Sequence, residues 1–342
     1  MPLSERDNTP LTSAVRLEFG VATTDQVWHS AATVYASQVP EEQLTDVGRG
    51  ITICRQSFGD PSDPPLLLVM GLGMQMVGWH EDFCRGLADR GYHETRYDNR
   101  DTGRSTLFDF PPPSLGQMVA RRFPAEQYRL EDMADDAAGL IDALELGQVH
   151  LVGASMGGMI SQTLAAHRPE LVRSLTSIMS NTGARVSGQP AFSLLRFLLK
   201  RAPSDREGFI EHSVKLFTLI GTAGSDEDEI REIAAQQYDR GHDPAGAGRQ
   251  LGAILKSGNR TKLLREIKAP TLVIHGKSDR LVRPSGGRAT ARAIPGARFL
   301  RIHEMGHDLP RHIWGRMIEA IAANAERGEH ADTGRDAAIA AA

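Results

Sequence analysis

Gly153, Ser155 and Gly157 form the pattern G-x-S-x-G within residues 149–160, VHLVGASMGGMI. The first half of this stretch is apolar, as in a buried strand, and the second half is typical of the start of a helix. Glycines two positions before and after the serine allow a turn so sharp that the hydroxyl is lifted clear of the sheet. The amide of Met156 would lie at the positive end of the helix, where it can bind an oxyanion. The pattern predicts nucleophilic catalysis by Ser155.

Glycine-rich turns between a strand and a helix also occur in dinucleotide-binding folds. A G-x-G-x-x-G fingerprint that starts at Gly153 would need glycine at position 155, where the chain has serine. A turn that only packs the strand against the helix stays open as an alternative. Whether this turn is catalytic or only structural therefore depends on whether the chain has residues that could activate the serine.

A serine hydroxyl is a poor nucleophile unless a base accepts its proton and an acid orients that base. His307 is the favoured base, because it is preceded by glycine and follows the last predicted strand, whereas His303 lies inside that strand. Asp279 also follows a predicted strand, at the sheet edge where side chains converge in open α/β sheets. Asp308 is too close to the histidine in sequence to be an obvious orienting acid. The predicted triad is Ser155, Asp279 and His307, with metal ligands predicted nowhere.

The loop Gly71-Leu72-Gly73 directly follows the apolar run 66–70, which predicts a strand buried on both faces. Its glycines permit a tight bend before the next helix. In a serine hydrolase such a loop supplies the second oxyanion amide, which we place at Leu72. A plain strand-to-helix turn would show the same signals. The two interpretations are compatible, because catalysis would use only the backbone.

Strand-like and helix-like segments alternate through residues 64–180, and strands resume from residue 270. This alternation predicts an α/β fold with a mostly parallel sheet and helices on both faces. Residues 182–262 break the rhythm and predict a helical cap inserted between core strands. The cap helix over 190–200 is apolar nearly all round, so it should be buried or should cover an apolar cavity. The predicted substrate-pocket residues are Phe192, Leu195 and Phe197.

Polar clusters outside the triad are interpreted as structural. The segment 98–105, DNRDTGRS, could resemble a metal or phosphate site, but we expect a loop held by Arg100 and its carboxylate neighbours. Ser225 is predicted to be the N-cap of a cap helix with an acidic first turn.

Composition bounds the function. The chain has 342 residues, a net charge of −4 and a pI near 6.3, which favour neither nucleic acid nor an anionic membrane surface as a partner. Cys54 and Cys84 are expected to be buried thiols of a cytoplasmic protein. Neither a signal peptide nor a membrane span is predicted. The predicted divisions are an N-terminal extension (1–46), a core (47–181 and 263–328), the cap (182–262) and a flexible tail (329–342).

From about residue 47 to 325 the chain resembles the α/β-hydrolases with a helical cap. The motifs at 70–73 and 96–105 and the elbow at Ser155 are similar to those of aclacinomycin methylesterase-like esterases and related bacterial lipolytic enzymes. The resemblance implies hydrolysis of small-molecule carboxylic esters without a cofactor. Met70 stands where many members have histidine, which matters little if the backbone supplies the oxyanion hole.

Several functions share this arrangement. Serine at the elbow argues against epoxide hydrolases and dehalogenases, which need a carboxylate nucleophile. Cofactor-free perhydrolases, carbon–carbon bond hydrolases and a non-catalytic receptor for a small apolar molecule stay open as alternatives. Residues 1–46 are expected to pack on the domain or on a partner subunit, which leaves a homodimer open.

Overall fold

The structure is a computed structural model, and it describes residues 39–198 and 203–340. The side chains of Leu195, Leu198 and residues 332–340 are outside this description. Residues 1–38 of the predicted N-terminal extension lie outside the described residues.

Eight strands form one sheet in the order β1-β2-β4-β3-β5-β6-β7-β8. The pairs β1–β2 and β2–β4 are antiparallel, and the pairs from β4 through β8 are parallel. The mostly parallel sheet predicted from the sequence is thereby confirmed. The strands are β1 (Gln43–Asp46), β2 (Thr52–Phe58), β3 (Pro65–Val69), β4 (His93–Tyr97), β5 (Val149–Ala154), β6 (Val172–Ile178), β7 (Thr271–Gly276) and β8 (Arg298–Ile302).

Helices cover both faces of the sheet because buried strands alternate their side chains between two cores. On β3, Leu67 points into one apolar cluster, and Leu66 and Leu68 point into the other. The first cluster contains α3 (Leu130–Ala143) and α4 (Met156–His167), which follow α1 (Glu81–Ala88) and α2 (Leu115–Ala120) along the chain. The second cluster contains α1 and the C-terminal helix.

A helical insertion joins β6 to β7, where the sequence predicts the cap. Its described part begins with a 3-10 turn at Phe192–Leu194. Four helices follow: α5 (Leu195–Leu198), α6 (Arg206–Ile220), α7 (Glu227–Arg240) and α8 (Pro244–Ser257). Residues 199 and 200 of the predicted first cap helix lie outside the described residues.

Asp226 caps α7, and not Ser225 as predicted. The Asp226 carboxylate accepts hydrogen bonds from the backbone amides of Asp228 and Glu229 at 2.9 and 3.4 Å. The Ser225 hydroxyl instead lies 2.8 Å from Thr222 O and 2.9 Å from Asp308 Oδ2, within hydrogen-bond distance of both acceptors. Sequence signals place this helix start correctly to within one residue.

Both ends of the predicted core differ from the structure. β1 lies inside the segment predicted as an extension; its polar sequence QLTD and its mostly exposed edge position hide it from an apolar pattern. After α9 (Ser285–Ala293), the last helix, α10 (Trp314–Ala340), continues past residue 328, where a flexible tail was expected. Glu329 binds Arg173 Nη1 at 2.9 Å and His150 Nε2 at 2.9 Å, which attaches this part of α10 to the sheet.

Cys54 and Cys84 are buried and free, as predicted. In the part of the chain that the structure describes, no helix combines the length and apolarity needed to cross a membrane. The same residues contain no group of three or more histidine, cysteine or carboxylate side chains arranged to hold a metal ion.

Candidate active site

Ser155 occupies a strained turn between β5 and α4. Its backbone has φ +54° and ψ −116°, which a non-glycine residue rarely adopts. The flanking glycines are required by close packing: a Cβ on Gly153 would lie 2.3 Å from Gly157 O, and one on Gly157 would lie 2.0 Å from Val69 O. The two glycines therefore let α4 approach β3 and β5 and leave the serine at the apex.

Ser155, His307 and Asp279 lie in one hydrogen-bonded chain. The Ser155 hydroxyl is 3.0 Å from His307 Nε2, and His307 Nδ1 is 2.7 Å from Asp279 Oδ2. Because the ionised carboxylate can only accept a hydrogen bond, the ring proton lies on Nδ1, and Nε2 is left free to accept from the serine. Asp279 is 3% exposed and His307 is 7% exposed, so water competes little with these bonds. The arrangement is that of a nucleophile, a base and an orienting acid.

The carboxylate of Asp279 is held in place on both oxygens. Oδ1 accepts hydrogen bonds from the backbone amides of Leu281 and Val282 at 2.9 and 2.8 Å. His275 Nε2 lies 3.3 Å from Oδ2 and bonds Val282 O at 2.7 Å. Burial raises the pKa of Asp279, but attraction to His307 and hydrogen bonds from His275 and His307 outweigh burial and bring the pKa below its usual value. Asp279 is therefore ionised at neutral pH.

Asp308, the alternative acid, bonds to the cap instead of to the histidine ring. Its carboxylate accepts from the Thr222 amide at 2.9 Å, from the Thr222 hydroxyl at 2.7 Å and from the Ser225 hydroxyl at 2.9 Å. The His307 amide donates to Ile220 O at 2.8 Å on the same cap segment. Asp308 thus fastens the histidine loop to the cap. Sequence reasoning missed Thr222, whose role depends on a contact across 86 residues.

The loop 71–74 lies directly against the nucleophile. A Cβ on Gly71 would be 3.2 Å from Ser155 Cβ and 3.8 Å from Ser155 Oγ. The Met74 amide donates to Gly71 O at 3.2 Å, and Gly73 has φ +69°, so the loop forms a turn that needs glycine at its third position. Met156 is the first residue of α4, and the first amides of a helix lack intrahelical acceptors. The amides of Leu72 and Met156 remain the predicted oxyanion donors.

The 98–105 loop joins the core to the cap. Arg100 forms a two-pronged pair with Asp136 of α3, at 2.5 and 2.6 Å. Asp101 pairs with Arg249 of α8, with contacts of 2.8 and 2.9 Å. Asp98 in the same loop binds the cap residue Arg240 at 2.9 Å. The partners come from remote elements and not from neighbouring carboxylates, so no local pattern along the chain marks them.

The predicted pocket residues have different environments in the structure. Phe192 is 87% exposed and therefore does not line a pocket, because the 3-10 turn buries Leu194 instead. Phe197 is half-buried, and its ring stacks on His212 of α6 with centroids 4.7 Å apart. The side chain of Leu195 lies outside the described residues. An apolar pattern on all sides of a helix predicts burial but cannot fix which side faces the site.

The family model described as alpha/beta hydrolase fold matches residues 64–310. The chain belongs to the α/β-hydrolase fold family. It is also 31% identical over 297 residues to rhodomycin D methylesterase DauP of Streptomyces sp. (strain C5), and 29% identical over 297 residues to rhodomycin D methylesterase DnrP of Streptomyces peucetius. Each match covers 80% of this chain and 95% of the relative. The prediction of a carboxylic ester hydrolase is confirmed, and this α/β-hydrolase is a serine ester hydrolase.

Solved structures agree on the fold. A thermophilic esterase from Thermogutta terrifontis superposes with a TM-score of 0.63 at 22% identity, covering 85% of this chain and 99% of the other. The enol-lactonase from Burkholderia xenovorans LB400 gives a TM-score of 0.64 at 22% identity, covering 82% and 98%. At this identity the likeness establishes the fold alone.

Proposed function

We propose that this α/β-hydrolase cleaves carboxylic esters through an acyl-enzyme on Ser155. The observation that carries the proposal is the unbroken chain from the Ser155 hydroxyl through both nitrogens of His307 to Asp279. Each bond is within the range expected for a nucleophile, a base and its orienting acid.

In the first half of the reaction, Ser155 Oγ attacks the ester carbonyl while its proton passes to His307 Nε2. The carbonyl oxygen becomes an oxyanion, which the amides of Leu72 and Met156 stabilise. His307 then donates the proton to the departing alkoxide, so an alcohol leaves and the acyl group stays on the serine. Water follows the same path: His307 takes its proton, the acid is released and Ser155 regains its hydrogen. Asp279 keeps its charge throughout and stabilises the imidazolium.

For the substrate we propose a methyl ester of a larger, apolar carboxylic acid. The support is that DauP and DnrP are named methylesterases and match over 95% of their length. In such a substrate the bulky acyl group remains on Ser155 beneath the cap and only methanol departs. The enzyme should therefore discriminate strongly between acyl groups and accept a small alcohol such as methanol as the leaving group.

Partitioning with hydroxylamine tests the acyl-enzyme. Methyl and phenyl esters of one aromatic acid pass through the same intermediate, so the ratio of hydroxamate to free acid should be identical for both. Different ratios would rule out a common acyl-enzyme. A second experiment tests which side of the ester the cap accommodates. It compares kcat/KM for the methyl ester of an aromatic acid with kcat/KM for the acetate of the matching aromatic alcohol. The methyl ester should have the higher kcat/KM.

We also propose, from the charge and cysteine content of the sequence, that the enzyme acts in the cytoplasm and without nucleic acid. As a separate proposal, the enzyme is a homodimer. Light scattering of the full chain and of a variant that lacks residues 1–38 checks the last point. A monomeric full chain would contradict it.

A further inference from the structure

Gln250 on cap helix α8 connects the cap to the loop beside the nucleophile. Its Oε1 accepts a hydrogen bond from the Gly73 amide at 2.8 Å, and its Nε2 donates to Arg100 O at 2.8 Å. The side chain is fully buried. One partner can only donate and the other can only accept, and the side-chain amide of Gln250 has an oxygen for the first and an N–H for the second. A residue that serves only packing would not need this pair of contacts.

The contact at Gly73 fixes the peptide that joins it to Leu72. This peptide lies in the turn 71–74, whose first residue is so close to the nucleophile that a Cβ on Gly71 would lie 3.2 Å from Ser155 Cβ. The Leu72 N–H, the predicted oxyanion donor, belongs to the preceding peptide, which shares the Leu72 Cα with this one. A shift of the Gly73 peptide would therefore also displace that donor. Preorganised donors lose much of their effect when they are misaligned by a fraction of an ångström to an ångström.

Helix α8 is a rigid support for this contact. A Cβ on Gly246 would lie 2.1 Å from Asp101 O, and a Cβ on Gly73 would lie 3.2 Å from the side chain of Ala247. The Arg249–Asp101 ion pair fastens the same face of α8 to the core. Helix and loop are packed too closely to slide past each other without breaking these contacts.

A second glutamine, Gln75, fastens the residue directly after this loop to the cap. Gln75 Nε2 donates to Gln237 O and to Gly241 O, both at 2.7 Å, at the end of cap helix α7. The backbone amide of Gln75 donates to Gln237 Oε1 at 3.3 Å. The chain beside the nucleophile is therefore bound to the cap at two positions, Gly73 and Gln75.

We propose that Gln250 is a positioning residue for the oxyanion hole, and that the cap thereby aligns the catalytic backbone in addition to covering the substrate. This inference rests on the proposed function, since it assigns the Leu72 amide to the oxyanion. Gln250 touches neither the substrate nor the reacting atoms; it acts through Gly73.

Gln250→Met tests the proposal because it keeps the length of the side chain and removes both hydrogen bonds. We expect kcat for a fixed ester to fall on the order of 10-fold, less than the roughly 10²- to 10³-fold loss caused by removal of an oxyanion donor. KM should stay within about twofold, and the affinity for a trifluoromethyl ketone that forms a hemiketal oxyanion should fall by the same factor as kcat. Gln250→Asn, whose amide is one methylene too short to reach both partners, should act in the same direction and serves if the methionine variant does not fold.

Gln127→Met is the matched control. Gln127 is buried and donates to Arg249 O on α8 at 2.9 Å, but it does not contact the oxyanion loop. This variant should lose comparable stability while kcat stays unchanged. If the folded Gln250 variants have the kcat and inhibitor affinity of Gln127→Met, the proposal is overturned.

Ser155→Ala separates this inference from the proposed function. Loss of activity in Ser155→Ala together with unchanged kcat in the Gln250 variants rejects only the positioning role. Full activity in Ser155→Ala would reject the proposed function and the positioning role with it.

Discussion

Asp279 and Asp308 flank the same histidine loop but bond to different partners. Asp279 accepts from the imidazole ring, whereas Asp308 accepts from Thr222 and Ser225 of the cap. A carboxylate that orients the base affects the tautomer of the ring, and one that fastens the loop affects only its stability. The roles should therefore separate in kinetics.

Asp279→Asn should lower kcat by up to about 10⁴-fold, because an amide stabilises the wrong tautomer of His307. Asp308→Asn should lower the thermal unfolding midpoint and leave kcat within a few-fold of the wild type. Steady-state kinetics on one activated ester, with circular dichroism as the check on folding, measures both. Full activity in Asp279→Asn with a large loss in Asp308→Asn would exchange the two assignments.

Glu94 is a buried carboxyl group whose protonation should control stability. Burial raises its pKa from the usual 4.5 to about 8, although the neighbouring Arg96 acts in the opposite direction. A raised pKa means that the unfolded chain releases this proton at lower pH than the folded protein does. The stability associated with Glu94 is thus fully present below about pH 4.5 and is lost as the pH rises towards 8.

Glu94→Gln cannot titrate, so its stability relative to the wild type should increase between pH 5 and pH 8. Thermal unfolding midpoints at the two pH values measure this difference. The exposed Glu304→Gln provides the control and should show no such trend. A relative stability of Glu94→Gln that does not change with pH would contradict the raised pKa.

At the scale of elements, cap helix α8 is fastened to the core by a buried ion pair. Asp101 binds Arg249 and also accepts from the Tyr128 hydroxyl at 2.8 Å. Asp101→Asn leaves the buried Arg249 guanidinium with Asp243 as its remaining carboxylate partner, at 2.5 Å. The loss of the charged hydrogen bonds to Asp101 should cost about 1.5–3 kcal/mol in the free energy of unfolding. Urea denaturation measures this loss. The exposed pair of Arg206 and Asp239 is the control, since Asp239→Asn should leave the midpoint nearly unchanged; equal losses in both variants would contradict the docking role.

The first part of the cap should influence the choice of ester. Each further methylene of substrate buried beneath the cap is worth about 0.8 kcal/mol, or roughly fourfold in kcat/KM, until the space is filled. Phe197→Ser should flatten this increase because it removes the ring that stacks on His212. Phe192→Ser is the matched control, since that ring is exposed. A series of p-nitrophenyl esters of increasing acyl length provides the measurement, and an identical flattening in both variants would deny Phe197 its role.

At the scale of the whole molecule, the sequence predicts what depends on local signals. The G-x-S-x-G turn and the positions of Asp279 and His307 after strands are all local, so the sheet and the three residues could be found. The Gly73–Gln250 contact spans 177 residues and the Asp101–Arg249 pair spans 148, and no pattern along the chain marks such partners. The exposed edge strand β1 and the outward orientation of Phe192 were missed because their environment is set by tertiary packing.

Covalent labelling shows directly whether Ser155 is the nucleophile. The wild-type enzyme, treated with a fluorophosphonate and analysed by peptide mass mapping, should carry a single adduct on the peptide that contains Ser155, with loss of activity in proportion to labelling. Ser155→Ala should remain folded, unlabelled and inactive towards esters. An adduct on another residue, or full ester hydrolysis by Ser155→Ala, would show that Ser155 is not the nucleophile.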